Sequence, residues 1–109
     1  MKITILGEQW EIEERTIAED KGLMDCDGYC DKTVRLIVVG KKEDDCNLAD
    51  FEVYRRKVMR HEIIHAFLFE SGLHENFTHN PGHDETMIDW IAVQYPKLKR
   101  AFAAAGCED

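Results

Sequence analysis

RHEIIHAFLFESG, residues 60–72, sets two histidines four positions apart around a glutamate and runs on into an apolar stretch that ends at glycine. The period here is helical. Phe51, Tyr54, Val58 and Met59, then Ile63, Ala66, Phe67 and Leu68, recur at spacings of three and four, which predicts a helix over about 48–71 with a broad apolar face. Gly72 is its stop signal, because a helix commonly ends on a residue in the left-handed conformation that glycine adopts without strain.

The residues on either side divide the chain into strands, then helices. Residues 2–6 (KITIL) alternate and are rich in β-branched side chains; residues 9–16 alternate too, with Trp10 and Ile12 on one face and Glu11 and Glu13 on the other, and Gly7-Glu8 is a turn between them. This predicts a hairpin. Residues 25–31 (DCDGYCD) read as a loop. Residues 33–39 (TVRLIVV) form the strongest strand, almost continuously apolar at its end, as suits a strand covered on both faces. Residues 40–47 are a charged turn. Residues 73–84 are a polar loop. A second helical pattern starts at residues 84–85 and passes through Ile88, Ile91, Ala92 and Tyr95. Pro96 is expected to break or kink it, or to open a further helix with Leu98 and Phe102. The order implies an α+β fold: a small N-terminal antiparallel or mixed sheet of about three strands, a helix carrying the two histidines, and a C-terminal helix. With 109 residues, the chain is expected to form a single domain over 1–109.

Composition narrows the function. Hydrophobic residues make up 44% and charged residues 33%, as in water-soluble globular domains. The net charge of −8 argues against a phosphate-backbone partner, which calls for a basic face. No apolar run approaches the ~20 residues that span a bilayer, and the acidic start MKITILGEQWEIEE does not resemble a secretory signal. The expectation is a cytoplasmic chain with no nucleic-acid or membrane partner. The four cysteines, Cys26, Cys30, Cys46 and Cys107, supply one close pair and no second, so free thiols are expected rather than a structural zinc site.

Chemistry concentrates at residues 61–65. His61 and His65 lie one helical turn apart and project from the same face, so both imidazoles can reach one metal ion. Glu62 sits beside the first histidine and can touch a water on that ion without ligating it. HExxH on a helix therefore combines two ligands with a general base. The plainer alternative is a pair of histidines hydrogen-bonded to neighbours. A catalytic zinc site takes three protein ligands and leaves one position open. The downstream candidates are His74, His79, His83, Asp84, Glu85 and Asp89. Glu85 and Asp89 are again four apart, on the first turns of the second helix. Glu85 is the preferred third ligand, and Asp89 is placed to hydrogen-bond the far nitrogen of a ligating histidine. His83, on the approach to the same helix, is the alternative ligand; His74 and His79 are candidates to line a cleft.

This pattern resembles the gluzincin metallopeptidases, in which a glutamate about twenty residues after HExxH is the third zinc ligand and an aspartate one turn later supports the first histidine. Here the gap from His65 to Glu85 is twenty residues, and Asp89 follows Glu85 by four. The metzincin pattern is absent: position 68 is Leu and position 71 is Ser. More closely, DGYCD (27–31), the strand after it, RHEIIHAFLFESGL (60–73) and the segment from Asp84 to Ala92 resemble small prophage-encoded metallopeptidases. The likeness covers most of the chain. It implies a minimal gluzincin-like domain with one zinc ion, acting on a peptide or protein substrate in the cytoplasm of a bacterium carrying the phage. Two alternatives stand beside it. One is a catalytically silent, metal-holding phage protein that works by binding a host or phage partner. The other is a zinc hydrolase acting on a non-peptide amide. The strand at 33–39, if it forms a sheet edge, is expected to align an extended peptide substrate.

Overall fold

A computed structural model of the chain describes residues 1–77 and 85–109. Its elements are β1 (Lys2–Ile5), β2 (Glu8–Arg15), β3 (Gly28–Asp31), β4 (Leu36–Gly40), α1 (Phe51–Ser71) and α2 (Glu85–Ala105), with 3-10 turns at Lys21–Leu23 and Leu73–Phe77. The fold is α+β, as the order of patterns implied. The sheet has four strands rather than about three, in the order β1-β2-β4-β3. β1 and β2 form the expected hairpin, antiparallel, with Ile5 paired to Glu8 across the two-residue turn Leu6-Gly7. Both turn residues have positive φ, 50° and 88°. That conformation matches the right-handed twist of the flanking strands. It suits Gly7, and Leu6 adopts it with its side chain packed on the core.

The added strand is β3, inside the segment read as a loop. GYCD is four residues long, preceded by one aspartate and ending in another, so it has neither the length nor the alternation of a strand. Pairing with the strongly apolar β4 makes it one, with Cys30 opposite Ile37 and Tyr29 opposite Val38. β4 also runs parallel to β2, with Ile12 opposite Ile37. It is therefore paired on both sides and cannot take up an extended peptide as a sheet edge. Its burial agrees with the sequence: Ile37, Val38 and Val39, which alternate between faces, are all within 1% of complete burial.

One face of the sheet meets the helices. Ile3, Ile5, Trp10, Ile12, Ile37 and Val39 pack against Val58, Met59, Ile63, Ala66 and Phe67 of α1 and Leu98, Ala101 and Ala105 of α2. At roughly 1.5–3 kcal/mol per fully buried large apolar side chain, this layer supplies the main favourable contribution to folding. Trp90 and Phe102 pack partly buried against the same core.

α1 starts where Asp50 caps it, its carboxylate accepting from the backbone N–H groups of Glu52 and Val53. It ends at Gly72, in the left-handed conformation with φ 79°. α2 runs through Pro96 without a break. A proline inside a helix removes one backbone hydrogen bond. Here the helix persists because the following turns bury Leu98, Ala101 and Ala105 against the sheet.

Candidate metal centre

Along α1 the buried positions are Val58, Met59, Glu62, Ile63, Ala66, Phe67 and Leu68. The stripe that packs the helix on the sheet thus includes one carboxylate. Glu62 is only 6% exposed, and among the described residues it is the buried charged side chain. Burial pushes its pKa up to about 7, because removing a carboxylate from water penalises its charged form. His61 and His65 occupy the rim of that stripe, exposed and half-buried respectively.

The two imidazoles converge. Their Nε2 atoms are 3.1 Å apart, and the rings meet edge to face with centroids 4.8 Å apart. Two nitrogens bound tetrahedrally at ~2.0–2.1 Å to one zinc ion are separated by about 3.3 Å. The observed spacing is therefore close to that of a two-histidine metal clamp. It is also that of a hydrogen bond between the rings, in which one Nε2 donates and the other accepts. Burial first, and then the neighbouring His61 and His74, lower the pKa of His65. This favours the neutral ring whose lone pair a metal uses.

The wall opposite this face of α1 is β3. A methyl group built on Gly28 would lie 2.8 Å from the Val38 carbonyl oxygen, 3.1 Å from Val58 and 3.4 Å from Glu62. Glycine at 28 is what lets the strand approach the helix at Glu62. Between them lies a cavity of about 230 Å³ lined by Cys26, Asp27, Lys57, His61 and Glu62 among others. Tyr54 donates a hydrogen bond to Asp27 and so ties the first turns of α1 to the start of β3. Cys30, on β3, is held protonated: burial, followed by the charges of Glu62 and Asp31, pushes its pKa up to about 12.

Of the sequence-predicted residues, His61, Glu62 and His65 come together. Glu85 is the first residue of α2, and Asp89 lies one turn further on; their side chains lie outside the described part of the structure. His79, His83 and Asp84 also lie outside the described residues. His74 stands beyond Phe69, its ring centroid 4.6 Å from that of Phe69. Among the described residues no group of three or more histidine, cysteine or acidic side chains is gathered as a metal site. The cysteines are free thiols, as expected. The sequence reading missed the wall: Gly28, Asp27 and Lys57 belong to the same cleft as Glu62. The signal for it was the glycine in DGYCD, a residue with no side chain in a segment that has to pass close to something.

Comparison of the chain with protein-family models, with curated proteins and with solved structures gave no match. Among the described residues no helix is long and apolar enough to cross a membrane.

Proposed function

We propose that this chain is a zinc-dependent metallopeptidase with His61, His65 and Glu85 as ligands, Glu62 as general base and Asp89 as hydrogen-bond support for a ligating histidine. The observation that carries the reading is the convergence of the two Nε2 atoms at 3.1 Å beside a buried glutamate. A bound zinc ion would supply Lewis acidity to the scissile carbonyl and to a water. The chain's own contribution is proton transfer: Glu62 takes a proton from the attacking water and delivers it to the leaving amine. Burial raises the pKa of this carboxyl to about 7 in the metal-free chain, and a general base works best with a pKa near the operating pH. The strand suited to align an extended substrate is β3, which has one unpaired side and lies against Glu62.

The test is zinc content per chain by plasma mass spectrometry, on protein purified without added metal. The proposal expects one zinc in wild type, little in His61→Ala or His65→Ala, and a sharp reduction in Glu85→Ala. Zinc retained in Glu85→Ala and lost in His83→Ala would make His83 the third ligand. A wild type that takes up no zinc even on reconstitution would leave His61 and His65 as a hydrogen-bonded pair and end the enzyme reading.

A further inference from the structure

The outer edge of the sheet away from Glu62 is β1. Met1 and Ile12 exchange both backbone hydrogen bonds, Ile12 N–H to Met1 O at 2.7 Å and Met1 N to Ile12 O at 2.9 Å. In an antiparallel pair, bonded and non-bonded residues alternate. With Ile3 opposite Trp10 and Ile5 opposite Glu8, these two also turn their backbone groups toward β2. The N–H and C=O groups of Lys2 and Thr4 therefore point away from the sheet, along its free edge.

That edge borders a groove of about 700 Å³ whose other wall is α2. Lys97, Arg100, Ala101 and Ala104 follow one another at spacings of three, one and three, so a single stripe of the helix faces β1. The floor is apolar, with Ile3, Leu6, Phe67 and Ala101. Among the described residues the charged groups lining it are Lys2, Lys97 and Arg100, with no acidic side chain beside them. This is unusual in a chain with 22 acidic and 14 basic residues. Among the described residues the other arginines, 15, 35, 55, 56 and 60, are bonded to carboxylates or carbonyls, whereas Arg100 makes no such contact with a described residue. Lys2 lies on the opposite face of β1, in register with Glu11. The positive character of the groove therefore rests on Lys97 and Arg100.

We propose that this groove binds an extended acidic peptide segment of a partner protein, added as a further strand on β1. Alternate side chains of an added strand point to opposite faces. Those on the helix side meet the apolar floor and the two cations, so the segment that fits carries aliphatic residues and carboxylates in turn at every second position. Lys2 and Thr4 supply main-chain hydrogen bonds, and Lys97 and Arg100 select charge. The site is on the far edge of the sheet from the candidate metal centre and does not depend on it.

The test uses the full chain and two fluorescent peptides of equal length, one repeating Val-Thr-Asp-Thr, which puts valine and aspartate in turn on one face, and the other repeating Val-Thr-Lys-Thr. Anisotropy should show binding of the first and not the second, weakening as salt is raised. Lys97→Glu combined with Arg100→Glu should weaken it at least about tenfold. Both positions are exposed, so the fold should tolerate the change, and circular dichroism checks this. Amide exchange at Lys2 and Thr4 should slow when the aspartate peptide is present. Three results would overturn the proposal: no binding of the acidic peptide at millimolar concentration, equal binding of both peptides, or binding without protection of those two amides. An oligonucleotide that binds as well as the peptide without protecting them would mark the groove as a general polyanion site.

Discussion

Glu62 is a carboxylate in the stripe of α1 that faces the sheet, and its two roles can be separated experimentally. With metal bound, Glu62→Gln should leave zinc content unchanged and lower peptide hydrolysis by about 10²–10⁴-fold, the usual contribution of a positioned general base. If the chain instead works by holding a partner, the same variant keeps both its zinc and its partner. In the metal-free chain the substitution acts on stability. The folded pKa of Glu62, about 7, exceeds the 4.5 of an unperturbed glutamate. The folded state therefore binds the proton more tightly than the unfolded state. The contribution of Glu62 to stability is fully present below pH 4.5, declines as pH rises from 4.5 to 7, and is level above. Glutamine has the same shape and no charge to lose. Metal-free Glu62→Gln should match wild type at pH 4 and exceed it by up to about 3 kcal/mol at pH 8 in urea unfolding. Equal stability of the two proteins at pH 8 would mean that the carboxylate is solvated.

At the scale of elements, the contact that shapes the cleft is β3 against α1. Gly28→Ala places a methyl 2.8 Å from a main-chain oxygen, which cannot swing away as a side chain would. We expect a loss of about 1–3 kcal/mol in thermal or urea unfolding. Gly72→Ala, with open space around its Cβ position, would be limited to the strain of its positive φ. The same pair of elements marks the limit of what the sequence revealed. α1 was legible from its period, its cap and Gly72. β1, β2 and β4 were legible from alternation and β-branching. β3 was not, because four residues rich in glycine and aspartate become a strand only when a neighbour supplies the hydrogen bonds. The central place of β4 was hidden for a related reason. An apolar run shows that both faces are covered, but not which strands lie at its sides. The site followed the same division. His61, Glu62 and His65 were readable as a local spacing on one helix. The cleft beside them was not, since Asp27 and Gly28 reach α1 only through the sheet.

Over the whole molecule the sheet consists of two hairpins joined by one parallel seam. β1–β2 closes over two residues and β3–β4 over four, Lys32 to Arg35. The seam between Glu11–Arg15 and Leu36–Gly40 brings together residues 25 apart in the chain, Ile12 with Ile37 among them. Loop closure of that length costs entropy before any contact repays it. Each hairpin can form by itself within microseconds, and the slow event is their meeting. Folding speed should then be governed by the seam and lifetime by the helices. Ile37→Val should slow refolding in stopped-flow measurements, whereas Leu98→Ala, on α2, should chiefly speed unfolding. In ribosomal order, the two histidines emerge only after both hairpins and the seam have been synthesised. The strands against which α1 lays down Glu62 are therefore synthesised before the helix is.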